Sequence, residues 1–211
     1  MGSKTPRLKR RLPASAARTT HVEPTAIVHP SAVIGAGTRV WAFAQLCERV
    51  RVGASCVIGN GAYLDSGVRV GDRCNIHNRA LLYRNLVLED DVFVGPAAAF
   101  LNDPMPRANR IRDIRGERTT VGRGASIGAS AQILPNIRIG RFAMVATGAV
   151  VTRDVPDHAL VVGVPARVKG FVDADGVRLR RSAQSASHVT LSNPKRTFSL
   201  RIAKKQYAQL T

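Results

Sequence analysis

An aliphatic residue returns at every sixth position over most of this chain, and no other feature limits the fold as strongly. The series runs Val28, Ile34, Val40, Leu46, Val52, Ile58, Leu64, Val70, Ile76, Leu82, Leu88, Val94 and closes at Phe100. It resumes at Val121 and continues through Ile127, Ile133, Ile139, Val145 and Val151. Glycine often follows the aliphatic residue, as at Gly35, Gly53, Gly59, Gly71, Gly95, Gly122, Gly128 and Gly140. Four positions after it stands a small or branched residue, such as Thr38, Ala44, Cys56, Ala62, Cys74 or Ala80. A helix needs a period of about 3.6 and a strand a period of about 2, so neither explains the pattern. A triangular coil does: a short strand, a turn, then the next face. The aliphatic side chain points into a prism, the small one fills the remaining interior, and Gly, Asn and Asp near the corners ease the bend.

Three hexads complete one coil, so the series predicts about six coils and a prism roughly 30 Å tall at ~4.8 Å per coil. Each buried aliphatic side chain contributes roughly 1.5–3 kcal/mol, enough for the ladder to stabilise an all-β domain without helices. The pattern resembles the hexapeptide repeats, whose known examples wind as a left-handed parallel β-helix. The hand comes from that resemblance and runs against the usual right-handed crossover.

The beat fails between Phe100 and Val121. An irregular segment of this length is usually functional or disordered, and this one carries Arg107, Arg110, Arg112, Arg115 and Arg118. Charge is otherwise concentrated at the ends. The chain of 211 residues has a formal net charge of +18. Residues 1–20 hold six Lys/Arg and no acid, and residues 167–211 hold ten against Asp173 and Asp175. Such ends suit phosphates or anionic surfaces, or stay solvated. Neither end interleaves aromatics as a single-strand groove would, so no nucleic-acid or membrane partner is expected for the core. Cys47, Cys56 and Cys74 read as buried thiols in a reducing compartment. No apolar run approaches a membrane span of about 18 residues, and the basic start lacks the apolar core of a secretory signal. The expected location is cytoplasmic.

A prism of this kind can be a scaffold, an ice-binding surface, a metal-dependent carbonic anhydrase or an acyltransferase. No flat array of Thr marks an ice-binding face. His29, His77 and His158 are too scattered for a three-histidine metal site, so no metal is expected. The stretches "AIVHPSAVIGAGTRVWAFAQLC", "LEDDVFVGPAAAFLNDPMPRA" and "GASIGASAQILPNIRIGRFAMVATGAVVTRDVPDHALVVGVPAR" resemble the nucleotide-sugar N-acetyltransferases of the hexapeptide superfamily. The group most similar is the UDP-2-acetamido-3-amino-2,3-dideoxyglucuronate N-acetyltransferases of bacterial surface-polysaccharide pathways. The resemblance covers about residues 26–176. It implies acetyl transfer from acetyl-CoA to an amino group of a UDP-linked sugar, in homotrimers with active sites in the clefts between prisms. Acetylation of another small acceptor, or a non-catalytic scaffold, remains open from the residues alone.

The resemblance also assigns residues. Asn102, in "AAFLND", matches the family's amine-facing Asn and would orient the amine, since an amide is a poor base. His77 is the one histidine positioned as a general base, because an imidazole exchanges protons near neutral pH. The relatives carry Gln there, so His77 is either a new base or a corner residue. Asn78 is expected to contact sugar or nucleotide, and Arg107, in the shared "PRA", to hold the diphosphate through charge-assisted bonds. Arg79 replaces an Asn of the relatives, and Gln45 replaces a His. Backbone groups at Ala146 and Gly148 are expected to meet the pantetheine arm of acetyl-CoA, with Arg153 near its phosphates. His158 is expected to fix the closing turn. The expected organisation is a disordered basic extension over 1–24, a β-helix over 25–166 with a loop at 103–120, and a basic tail over 167–211.

Overall fold

The computed structural model describes residues 19–109 and 118–210. Arg110, Arg112, Arg115 and the first eighteen residues, all part of the sequence-based expectations, lie outside the described residues. Within them the chain is a left-handed parallel β-helix of about 7 turns. The first face stacks His21–Val22, Arg39–Val40, Val57–Ile58, Asn75–Ile76, Phe93–Val94, Ser126–Ile127, Met144–Val145 and Ala159–Val162. The second face runs from Ile27–Val28 to Val150–Val151, and the third from Val33–Ile34 to Arg138–Ile139. The first coil opens at His21, before residue 25, which is one reason the stack exceeds six coils. Register advances by one 18-residue coil from Asn75 to Phe93 and by 33 residues from Phe93 to Ser126. The interruption therefore skips no coil. All of its extra residues leave from the corner between the second and third faces, and Thr119–Val121 pairs with Leu86–Leu88 as though nothing had intervened.

The interior follows the period. From Val40 to Val151 the six-residue series is almost wholly excluded from water, as are Ala44, Ala62, Ala80, Ala98, Ala125 and Ala131. Val28 and Ile34 are only half-buried, because fewer coils lie beneath them. Buried Thr38 is satisfied in place, its hydroxyl donating to Gly53 O at 2.7 Å and accepting from Cys56 N at 2.9 Å. Cys56 and Cys74 stack one above the other, and their thiols donate to Gly71 O and Glu89 O at 3.1 Å. The hydrogen bond to Cys56 and burial push the Cys74 thiol up, so it stays protonated. Cys47 departs from the expectation of full burial, because it follows its aliphatic partner into the corner and is half-exposed.

The corners bend as expected, and Gly37, Gly61, Gly67, Gly124 and Gly148 serve there with φ between 62° and 78°. The bend itself is made three positions after each aliphatic residue, where Arg49, Ser55, Arg73, Arg79, Asn85 and Asp91 all take φ between 56° and 66°. Left-handed conformations cost non-glycine residues roughly 1–2 kcal/mol each. The amides of most such corner residues bond the coil below, as in Ser55 N to Ala36 O, Arg73 N to Ala54 O and Asp91 N to Asp72 O. Glycine is also required one position after the aliphatic residue, where coils touch. A Cβ on Gly128 would lie 2.4 Å from Thr147 N and 2.7 Å from Ala146 C.

The segment expected as a basic tail is folded. Arg167–Phe171 turns back antiparallel on Ala159–Val162. Arg180–Gln184, His188–Ser192 and Ser199–Ala203 form a three-stranded antiparallel sheet, followed by a helix at Lys204–Leu210. Phe171, Leu179, Val189, Leu191 and Ile202 are buried beneath it. His158 joins this sheet to the prism. Its ring lies 5.2 Å from that of Phe142 and 4.9 Å from that of Phe198, and Nδ1 is 3.0 Å from Val172 O. Buried Asp173 accepts from Asn193 Nδ2 at 3.0 Å and from Val177 N at 2.8 Å. The charges alternate with apolar residues that period-2 strands send inward.

The corner after the third face carries an ionic ladder. Arg73 Nε donates to Asp91 Oδ1 at 2.6 Å, and Arg123 Nε to Asp91 Oδ2 at 3.1 Å. These arginines, Arg73 foremost, hold the Asp91 carboxyl below its usual range. A depressed folded-state pKa contributes stability above the unfolded value of about 3.9, and that contribution is lost as pH falls through the folded value. Asp91→Asn should therefore lower the melting temperature at pH 6, with the gap to wild type closing below about pH 4. Gly128→Ala should cost about 2 kcal/mol or more through overpacking against backbone, read as a lower denaturant midpoint. Gly148→Asn should be far milder, because nothing lies within 4 Å of its Cβ position and Asn tolerates φ of 69°.

Candidate active site

The interior is closed, so chemistry is confined to faces, corners and the loop. The residues singled out from sequence sort onto two corners that flank the second face. His77, Asn78, Ala146 and Gly148 stand at the corner following the first face. Asn102 and Arg153 stand at the corner following the second face, from which the loop bearing Arg107 departs. Within one chain the structure does not bring His77 and Asn102 together, since they occupy opposite edges of the same face.

Asn102 comes directly after the last ladder bond of the interrupted corner, Leu101 N to Ile133 O at 2.9 Å. Its half-buried side chain bonds none of the described residues, so the amide is free to meet a ligand. The next residue, Asp103, accepts from Met105 N at 2.9 Å and turns the chain outward. Arg107 is exposed and donates from Nη1 to the carbonyl of Pro106 at 3.0 Å.

At the other corner Asn78 has structural work, as Oδ1 accepts from Asn60 N at 3.0 Å. His77 lays its ring 4.9 Å from that of Phe93, which projects from the first face. Neither ring nitrogen of His77 bonds a described residue. Three coils above, roughly 14 Å along the axis, Ala146 N is committed to Val161 O and Gly148 N to Ala129 O, both at 2.9 Å. Amide donation from these two residues is therefore spent within the coils, and their contribution to a ligand would come through carbonyls. Between them the Thr147 amide makes no such bond, and neither does that of Ala129 one coil below. At the corner following the third face a carboxylate caps several of the equivalent amides, as Asp72 caps Ala54 N and Asp157 caps Arg141 N, whereas at this corner only Asn60 N is capped among the described residues, by Asn78 Oδ1. Here small residues leave the donors open, which suits the amide-rich pantetheine arm. A signal for them was present in the sequence, because Thr147 and Ala129 have no Asx residue one coil above.

Among the described residues no group of His, Cys, Asp and Glu could hold a metal ion, and no helix is long and apolar enough to cross a membrane.

A parallel β-helix of hexads, with a loop at one corner and uncapped amides at another, has the form of the hexapeptide acyltransferases. Residues 49–78 and 118–153 match the family described as the hexapeptide repeat of succinyl-transferase. The dTDP-3-amino-3,6-dideoxy-alpha-D-galactopyranose 3-N-acetyltransferase of Aneurinibacillus thermoaerophilus is 40% identical over 159 residues, which are 75% of this chain and 82% of that protein. The bifunctional protein GlmU of Sorangium cellulosum (strain So ce56) is 32% identical over 168 residues, 77% of this chain and 33% of its own. A putative acetyltransferase of Bacillus cereus shares the fold, with a TM-score of 0.51 and 21% identity over 75% of this chain and 86% of that one. The chain belongs to the hexapeptide-repeat acyltransferases. It is an enzyme, an acetyltransferase.

The ring contact with Phe93 supports the reading of His77 as a corner residue. His77→Asn should leave kcat within about threefold and the pH–rate profile unchanged. Loss of the acidic limb of that profile would instead identify His77 as the base.

Proposed function

We propose that the protein transfers the acetyl group of acetyl-CoA to the amino group of a nucleoside-diphosphate-linked amino sugar. The observation that carries this is the 40% identity to an amino-sugar N-acetyltransferase across 82% of that protein's length. That relative acts on a dTDP-linked 3-amino sugar, and the resemblance noted from sequence is to enzymes of a UDP-linked 3-amino sugar. The shared acceptor is a pyrimidine nucleoside diphosphate joined to a hexose bearing a 3-amino group. Its use is in bacterial surface polysaccharides, and the reaction runs in the cytoplasm.

The working unit is a homotrimer with its second faces toward the axis. Among the outward side chains of the faces, the second carries Ile27, Gln45, Tyr63, Leu81, Ala99, Gln132 and Val150, none charged. The first face carries Arg39, and the third Arg51, Arg69 and Arg138. Interfaces are depleted of charge at their centres, so the second face is the one suited to burial. Packing through it sets the Asn102 corner of one copy against the Thr147 corner of the next, and the site is complete only between copies. Donor and acceptor then approach from opposite ends, acetyl-CoA along the later coils and the nucleotide sugar along the earlier ones.

In the cleft the neutral amine attacks the thioester carbonyl. The C–N bond forms, the C–S bond breaks, and the amine proton leaves with the departing thiolate. Asn102 holds the amine by accepting a hydrogen bond from it through Oδ1, which converts a bimolecular encounter into a positioned one. Asn78 and Arg107 line the acceptor side. The backbone at Ala146, Thr147 and Gly148 lines the donor side, with Arg153 toward the CoA phosphates.

Thiol release from acetyl-CoA, followed across a panel of UDP- and dTDP-linked 3-amino sugars, tests the reading. At least one should turn over to an N-acetylated product. Acetyl-CoA binding without acetylation of any nucleotide-linked amine would overturn the acceptor class. Asn102→Ala should reduce kcat at least tenfold, about 1.4 kcal/mol, with the oligomer mass unchanged by light scattering.

A further inference from the structure

Along the corner that ends at Asn102, the coils beneath hold an arrangement that the chemistry so far leaves unused. Asp65 is 4% exposed and lies at this corner two coils below Asn102. Its Oδ1 accepts from Ser66 N at 2.7 Å. Its Oδ2 accepts from Arg84 N at 3.2 Å and from Arg84 Nε at 3.1 Å. A buried carboxylate needs such partners to remain charged, and here one of them is a guanidinium held by its inner nitrogen. The rest of Arg84 is exposed, with 53% of its side chain accessible, and neither Nη atom bonds another described residue. The guanidinium is thus fixed at one edge and open at the other. That is the preorganised fork that binds a phosphate oxygen pair.

Arg84 stands at the wall of a cavity of about 520 Å³ that runs down the earlier coils past Ser66, Cys47, Gln45 and His29, a volume in the range that accepts nucleotide-sized ligands. Glu48 also lines it, 3.1 Å from Arg49 Nη1 and 4.0 Å from His29 Nε2, so its charge is partly offset. Arg84 is one coil, ~4.8 Å, below Asn102. In a nucleoside-diphosphate 3-amino sugar, the amine and the β-phosphate lie on either side of one hexose ring, a separation of the same order.

We infer that this cavity holds the nucleoside diphosphate of the acceptor, with Arg84 gripping the diphosphate and buried Asp65 positioning Arg84. The inference rests on the acceptor class proposed above and assigns its phosphate contact to Arg84 in place of Arg107. Arg107 sits farther along the loop and spends one nitrogen on Pro106 O. Gln45 and Cys47 would face the base and ribose.

The experiment is calorimetric titration of the full-length oligomer with UDP and dTDP, which carry the diphosphate but no amine, alongside steady-state kinetics. Wild type should bind one of the two. Arg84→Gln should weaken that binding at least tenfold and raise KM for the nucleotide sugar similarly, with KM for acetyl-CoA within twofold. Binding of the matching nucleoside monophosphate should change much less. Asp65→Asn should reproduce the loss while melting cooperatively, and the double variant should bind no worse than Arg84→Gln alone, because Asp65 acts through Arg84. Normal diphosphate binding by Arg84→Gln, or loss on Arg107→Gln instead, would overturn the assignment and leave the acceptor class intact. Turnover of a nucleotide-linked amine by a wild type that binds neither diphosphate would overturn it as well. Absence of both binding and turnover would remove the acceptor class itself.

Discussion

Hydrogen bonding between successive coils, about 4.8 Å apart, is the constraint on which the rest of this structure depends. Strand pairs such as Val57↔Arg39 and Asn75↔Val57 run in unbroken register, and the corners are laced to one another as well. The corner amides reach the coil below only if the backbone turns left-handed, so residues as large as Phe142 and Arg79 accept φ near 60°. The same spacing leaves no room for a side chain where coils touch, hence the glycines at positions such as 59, 95 and 128. Strain and close approach are both consequences of one repeat distance.

A closed interior also dictates where chemistry can occur. With aliphatic and small side chains filling the prism, functional groups are left to the corners, and each corner becomes a column of residues one coil apart. One column holds an ionic ladder of Arg73, Asp91 and Arg123. A second leaves Thr147 N and Ala129 N uncapped. The third contains Asp65, Arg84 and Asn102 in successive coils and gives off the loop. An extended substrate can thus be read along the axis, its parts matched to levels of one column. The loop adds residues at a single corner without disturbing the ladder, as the pairing of Leu88 with Val121 shows.

The fold was legible in the sequence because a six-residue period is a purely local signature, and the positions from Val40 to Val151 are buried as the period requires. The C-terminal sheet was not legible in the sequence because its net charge masked a weaker alternation. In "HVTLS" and "SLRIA" every second residue is apolar, and Val189, Leu191 and Ile202 go inward. Asn102 was proposed through resemblance. Arg84 was not, since its meaning lies in a contact with a residue nineteen positions earlier that no local pattern encodes. Which amides at the turn of Ala146 and Gly148 are open was not legible either: theirs are engaged, while no bond is made by that of the neighbouring Thr147.

The sequence by itself determined the architecture and, by counting in eighteens, the corner each residue occupies, because a solenoid converts linear period directly into position. Only the tertiary structure decided what those side chains do there. It turned His77 onto Phe93, drew the C-terminal sheet around His158, and set the guanidinium of Arg84 on the buried carboxylate of Asp65. The reason is physical. Burial follows from the repeat of one chain segment, whereas orientation follows from which neighbours a side chain meets in the next coil.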